Sequence, residues 1–369
     1  LLNFFAIPFV SVLLLPSLLL LMIFIVFSLP GTDYLLWLAE QLLRLFWSAL
    51  SAIAPYTETV QYSSSELNYL QLLLYPLLLT LLISVHLRVK AIILLMLFLL
   101  QLTVRSSLPF RMMVLDVGQG LAVSINYRDK LLIYDTAYGS PDFTVADMTL
   151  LPWLNSLSIS TIDILVISHN DADHSGGTQL LMDNYPVHEI ISGSDVKVPT
   201  VVKFPPYLKS RCYQGQSWQW QELSIRVLSP MFEDNLLKEG NDSSCVLLLE
   251  INEIQILLTG DIGVAAEQQL IKNYPELSAN ILLVPHHGSK TSSSWSFLGQ
   301  IKPQLAIITS GYLNRYNLPE ENIVQRYNKN AIKMLNTAYS GAIEITINDQ
   351  GNVSIKQWRL DNQTLWRRH

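Results

Sequence analysis

The sequence predicts an α-helical membrane segment followed by one layered α/β domain. Three observations predict it. Only 15% of the 369 residues are charged, 50% are hydrophobic and the mean hydropathy is +0.30, whereas soluble globular chains carry about a quarter charged residues. The deficit is uneven: four acids and four bases precede Arg111, and the remainder holds 26 acids and 20 bases. From Met112 onward the pattern changes to short β-rich runs ended by polar clusters. A nearly uncharged beginning and a normally charged remainder, long enough for a full core, divide the chain into a membrane part at 1–105 and a globular domain at 106–369. The net charge of −6 gives no general basic surface, so any nucleic-acid contact has to be local. Cys212 and Cys245 are too few for a disulfide framework or a cysteine zinc site. Disordered, fibrous and small disulfide-stapled proteins are excluded.

In the first part, Leu1 opens an apolar stretch without a basic leader or a small-residue cleavage site, which reads as a fragment of a longer membrane protein rather than a signal peptide. Phe4 to Leu29 is uncharged and long enough to span a bilayer, with Pro8 and Pro16 kinking it. Tyr34 to Ile53 carries Glu40 and Arg44 four residues apart, with Trp37, Phe46 and Trp47 nearby. It fits a helix lying in the headgroup plane, or else a spanning helix with an internal ion pair. Leu70 to Val85 and Ala91 to Val104 are shorter apolar runs around the basic turn His86 to Lys90, which belongs on the cytoplasmic side. Glu58 to Asn68 has no Lys or Arg and suits the opposite side, so the chain leaves the membrane after Val104 on the outer face. Arg105 and Arg111 run against that orientation.

In the globular part, Met112 to Asp116 predicts a strand followed by Gly118-Gln119-Gly120. Ala122 to Tyr127 and Lys130 to Asp135 form a hairpin around Arg128-Asp129. Thr161 to Ser168 is a buried strand, and further strands fall at Glu189 to Ile191, Leu223 to Leu228, Cys245 to Ile251 and Gln255 to Thr259. Gly263 to Tyr274 has helical spacing, Ile281 to Val284 is a strand, and Leu305 to Thr309 with Ala342 to Ile347 complete a strand–helix–strand ending. Strands with helices interspersed imply packed layers.

Four of the seven histidines fall in two clusters, each directly after an apolar strand. The first is His169-Asn170-Asp171-Ala172-Asp173-His174, with Gly176 and Gly177 allowing a tight exit. Four N and O donors in six residues at a strand end suit one or two cations such as zinc or manganese. Helix capping by Asp173 or Ser175 would need only one of them. Asp261 closes Thr259-Gly260-Asp261 at the end of another strand, where a bridging ligand or a turn residue would sit. His286 and His287 follow a third; as neighbours they point in different directions, so one of the two is expected on a given metal.

Three strand ends supplying ligands to one place resemble the metallo-β-lactamase superfamily, whose fingerprint is His-X-His-X-Asp-His followed by a distal Asp and a distal His. Asp171 stands where the fingerprint has its second His, and Asp135 in Ile133-Tyr134-Asp135-Thr136 matches an earlier Asp. The Asp-X-Asp-His variant, Leu115-Asp116-Val117-Gly118-Gln119-Gly120, Thr259-Gly260-Asp261 and Pro285-His286-His287-Gly288-Ser289 narrow the resemblance to the ComEC family of bacterial DNA-uptake channel proteins.

The resemblance implies an αββα sandwich and two divalent metal ions, manganese or zinc. His169 and Asp171 would hold one cation, Asp173, His174 and His286 the other, with Asp261 bridging. Asp173 could alternatively orient or deprotonate the attacking water, and His287 is a candidate contact for a ligand or the leaving group. The implied reaction is hydrolysis of DNA phosphodiesters, degrading one strand while the other is imported. The implied setting is a multi-pass bacterial inner-membrane protein with its hydrolase domain on the periplasmic face, among membrane lipid and other DNA-uptake proteins. A non-catalytic receptor or structural module of the channel, and a membrane-anchored small-molecule hydrolase, are the other two classes. Two departures stand out. A further ligating His would fall in Gly240 to Ser244, which has none, and Leu318 stands where the family carries a His before Pro.

Overall fold

The structure is a computed structural model that describes residues 6–7, 9–57, 110–140, 142–157, 159–194, 208–231 and 240–362. The chain divides into two compact units, Leu1–Ser64 and Ser65–His369. The expected boundary at 105/106, the apolar runs Leu70 to Val85 and Ala91 to Val104, and the turn between them lie outside the described residues.

In the first unit a π-helical turn, Phe9–Leu14, runs into α1 (Leu15–Val26), with Pro16 in the first turn of α1. The continuous stretch Phe9–Val26 is long and apolar enough to cross a membrane. α2 (Thr32–Thr57) follows, and its Glu40–Arg44 ion pair at 2.7 Å lies on an exposed stripe. Phe9 and Phe46 stack at 5.4 Å between ring centroids.

In the second unit the hairpin expected around Arg128-Asp129 forms, as part of a run of β1 (Phe110–Val114), β2 (Val123–Tyr127) and β3 (Lys130–Tyr134). The short pair β4 (Gly139–Ser140) and β5 (Phe143–Thr144) precedes α3 (Leu150–Ser156) and β6 (Ile162–Ile167). Then come α4 (Ala172–Ser175), α5 (Thr178–Asn184), β7 (Val187–Ser192), β8 (Leu208–Arg211), β9 (Ser217–Trp220), β10 (Leu223–Ser229), β11 (Val246–Ile251) and β12 (Ile254–Leu258). The chain continues through α6 (Val264–Asn273), β13 (Ile281–Leu283), α7 (Trp295–Ile301), β14 (Leu305–Ile308) and α8 (Glu321–Lys329). It finishes with β15 (Lys333–Asn336), α9 (Thr337–Ser340), β16 (Ile343–Ile347), β17 (Val353–Gln357) and α10 (Trp358–Asp361).

Two mixed sheets result, ordered β17-β16-β1-β2-β3-β6-β7-β8 and β15-β14-β13-β12-β11-β10-β9. One face of each contributes to a shared core: Val123, Ile125, Leu132 and Tyr134 from the first meet Leu247, Leu249, Ile256 and Leu258 from the second. The alternate residues Leu131 and Ile133 face outward under Leu150, Leu154 and Leu181 of α3 and α5. Leu248 and Leu257 likewise face Leu270, Phe297 and Ile323 of α6, α7 and α8. The architecture is therefore an αββα sandwich. Central strands covered on both faces tend to read as apolar runs, as in β6 and β11, while β2 alternates Val123 and Ile125 with Ser124 and Asn126; both patterns were legible in the sequence. The four longer strands the sequence did not indicate are β8, β9, β15 and β17, and each is the edge of a sheet. Edge strands are short, carry polar residues and are covered less, so no apolar run marks them, and the alternation in Ser217–Trp220 and in 353–356 spans only four residues.

Candidate metal centre

The parallel strands β3 and β6 of one sheet and β12, β13 and β14 of the other end at the same edge of the sandwich, and the chemistry-bearing residues follow those ends. Asp135 leaves β3 with φ +61° and is fully buried. Its carboxylate accepts the Ser168 N–H at 2.6 Å, the Ser168 hydroxyl at 2.7 Å and His174 Nδ1 at 2.7 Å. A carboxylate on Nδ1 fixes that nitrogen as a donor and turns Nε2 inward, where it can take a cation once its proton is released. His287 is set the same way: Nδ1 donates to the Thr309 carbonyl at 2.7 Å.

Around those two nitrogens the cluster closes. His174 Nε2 lies 3.3 Å from His287 Nε2 and 3.3 Å from Asp261 Oδ1. His287 Nε2 is 3.5 Å from Asp261 Oδ2 and 3.7 Å from Asp173 Oδ2. His169 is buried with Nδ1 against the hydroxyls of Ser168 (3.0 Å) and Ser244 (3.4 Å). Its Nε2 is a buried atom that makes no hydrogen bond, its polar neighbour being Asp171 Oδ2 at 3.4 Å. Two sets of three donors lie close enough to share an ion: His169, His174 and Asp261, and Asp173, His174 and His287. Converging lone pairs on two imidazoles, a third orphaned nitrogen and three carboxylates fit divalent cations that accept N and O ligands.

The positions of individual expected residues follow. Asp171 sits at the start of α4 without a capping bond, and its half-exposed carboxylate faces His169. Asp173 is in the first turn of α4 and does not cap it either. Both His286 and His287 adopt left-handed φ, and their rings stand 6.4 Å apart at 70°. His287, not His286, joins Asp173 and His174. His286 Nε2 lies 3.8 Å from Asp261 Oδ2 and 3.3 Å from Asn241 Nδ2, while its Nδ1 lies 3.1 Å from Thr291 Oγ1. Asn241 belongs to the Gly240–Ser244 segment that lacks a His. Asp116 forms an ion pair with Arg359, and Leu318 lies in a turn closed by Asn314. Sequence reasoning passed over Thr309 and Ser168; only their polar type at a strand end marked them.

Charge is tightly coupled here. Burial opposes an imidazolium at His174, but Asp261 and Asp135 outweigh it and hold its pKa well above the usual value. The same opposition, with Asp261 and Asp173 on the raising side, leaves His287 raised. Burial would lift the Asp261 carboxyl, yet His174 and His287 hold it well below the carboxylate range. Asp173 follows the same pattern more mildly, and His286 is pushed down by burial.

Between Cys212, just after β8, and Cys245, just before β11, a disulfide links the two sheets with a Cα–Cα distance of 5.8 Å. One bridge is not a framework, but the two cysteines are paired.

Among curated proteins, the chain is 34% identical over 245 residues to "Recombination protein 2" of Haemophilus influenzae, covering 66% of this chain and 30% of that protein. It is 33% identical over 246 residues to "Competence protein ComA" of Neisseria gonorrhoeae, covering 66% and 33%. It is 30% identical over 251 residues to "ComE operon protein 3" of Bacillus subtilis, covering 62% and 32%. The chain thus matches about a third of the length of these relatives. The resemblance to ComEC-type competence proteins stands on these matches. The profile of the family described as "Metallo-beta-lactamase superfamily" matches residues 115–309, from the end of β1 to Thr309 beneath His287. The chain belongs to the metallo-β-lactamase superfamily.

Proposed function

We propose that the α/β domain is a metal-dependent phosphodiesterase that cuts DNA within a membrane-associated uptake assembly. The observation that carries this reading is the convergence of the inward nitrogens of His169, His174 and His287 on Asp173 and Asp261 at a shared sheet edge. The competence proteins among the relatives support DNA as the polymer, and Phe9–Val26 supports membrane association. The Cys212–Cys245 bridge supports an oxidising compartment for this domain, which agrees with the outer face.

In this reading Asp173, His174 and His287 would hold one divalent cation. His169 and Asp171 would hold the other, with Asp261 between the two and His286 at the Asn241 side in place of the absent His. Manganese or zinc bound there would supply Lewis acidity toward a phosphoryl oxygen and offset charge developing at phosphorus. The protein's own part is positional. Asp135 and Thr309 hold the imidazoles in one tautomer. As the alternative to holding the cation, Asp173, ionised and partly open to solvent, would orient or deprotonate an attacking water. Since Nδ1 of His287 is committed to Thr309 and Nε2 faces inward, His287 acts as a ligand rather than as a leaving-group donor.

The test uses the full chain in detergent, wild type and Asp173→Asn, with manganese or zinc and with single- and double-stranded DNA. Metal-dependent cleavage lost in the variant is the expected result. Two equivalents of bound metal without DNA cleavage would redirect the reading to a small-molecule hydrolase. A protein that neither binds metal nor cleaves would leave a structural module of the channel.

A further inference from the structure

We propose that Tyr312 and Tyr339 form a stacking platform for the bases of an unpaired strand lying across the metal centre. The proposal rests on the phosphodiesterase reading and names what lets the site take its substrate. Directly after β14 comes Thr309, whose carbonyl holds His287. The next residue, Ser310, exchanges hydrogen bonds with Thr337 Oγ1 at 3.3 Å, which ties this strand end to α9. Tyr312 stands two residues beyond Ser310 and Tyr339 two residues beyond Thr337. Their rings meet edge to face with centroids 6.1 Å apart, and they remain 66% and 65% exposed.

The segment 311–319 that carries Tyr312 is wedged between the two flanks of the centre. At Gly311 a Cβ would lie 3.1 Å from Gln119 N. One residue on, at Gly120, a Cβ would lie 2.5 Å from the Asp173 carbonyl, so the Gly118–Gly120 turn backs directly onto Asp173. At the other end a Cβ on Gly288, next to His287, would lie 2.6 Å from Pro319 Cβ, and Glu320 N–H donates to the Gly288 carbonyl at 3.0 Å. The loop also carries Arg315, exposed, with its guanidinium 4.7 Å from the Tyr316 ring centroid.

Two exposed rings, with Arg315 on the same loop as Tyr312 and that loop tied to the metal centre, match the two chemistries of a single nucleic-acid strand: π faces for the bases and positive charge for the backbone. An acidic protein has to attract such a strand locally. A duplex keeps its bases stacked on one another, so these rings serve an unpaired strand.

The test measures KM and kcat of the full chain in detergent with manganese. It compares a single-stranded oligonucleotide with the same strand made abasic beside the cleaved bond. Wild type is expected to show a KM about tenfold higher for the abasic strand. In Tyr312→Ala and Tyr339→Ala the loss falls in KM for the intact strand, so that the two strands become alike, while Tyr312→Phe retains the difference. Cleavage of both strands by wild type with equal KM overturns the platform alone, as do alanine variants that keep the wild-type ratio. No cleavage of either strand with metal bound overturns the phosphodiesterase reading and the platform with it.

Discussion

His174 stands at the intersection of both donor sets, and its surroundings state how the centre meets a cation. Asp135 and Asp261 raise its pKa well above the usual value of about 6.5 despite burial. A raised pKa means that the metal-free protein gains stability from this proton at low pH and loses it as pH rises through the folded value. A cation needs the neutral imidazole, so binding must release that proton and tighten with pH across the same interval. Titration calorimetry in buffers of different ionisation enthalpy is expected to report proton release at neutral pH; a buffer-independent enthalpy would contradict it. Asp135→Asn removes the carboxylate that orients Nδ1 and is expected to weaken metal binding about 10- to 100-fold, measured by competition with a chelator. His287→Ala and His286→Ala separate the paired histidines. The first is expected to remove the cation shared with Asp173 and His174, and the second to weaken only the other, each read as metal equivalents by mass spectrometry. Equal losses in both would contradict the different placement of the two rings.

At the scale of elements, the site depends on how helices are pinned to strand ends. Glu267 of α6 is buried and accepts the N–H groups of Ser293 and of Ser294 (2.8 Å) at the start of α7. Arg326 of α8 donates to the Ser293 carbonyl beside it. Glu267→Ala leaves two N–H groups without their acceptor and is expected to cost about 2 to 3 kcal/mol, seen as an earlier denaturant midpoint. Burial raises the Glu267 carboxyl above its ordinary range, outweighing Ser294, Ser293 and Arg326. Its titration therefore favours the folded state at low pH, and that contribution is lost as pH rises through the raised value. Glu267→Gln is expected to flatten this part of the stability–pH curve. The elements also divide by what their sequence could announce. β3, β6, β11 and β12 are central, covered on both faces and rich in Ile and Leu, whereas β2 alternates Val123 and Ile125 with Ser124 and Asn126. β8 and β17 carry Lys209, Arg211, Ser354 and Lys356, because at an edge the backbone and one face meet water.

Across the whole molecule, the two sheets are held by the shared core and by the Cys212–Cys245 bridge. With the cysteines 33 positions apart in sequence, the bridge is expected to contribute about 3 to 4 kcal/mol by restricting the unfolded chain. Replacing both cysteines by serine should lower stability by that amount under oxidising conditions and by little when the wild type is reduced; equal stability in oxidant would contradict it. The same whole-molecule view shows where sequence alone was sufficient. Ligand-type residues directly after apolar runs, at His169 to His174, Asp261 and His286-His287, determined that strand ends build a site, because few-residue spacing and residue chemistry are local properties. The αββα layers followed from the same motifs through family resemblance. Which of two adjacent histidines turns toward Asp173, that Asp135 orients His174, that Cys212 meets Cys245, and that Tyr312 stands beside Tyr339 were decided only by the tertiary structure. Each depends on backbone torsions or on partners up to 114 residues away in the chain, as for Asp173 and His287, and such pairings exist only once the two sheets have closed.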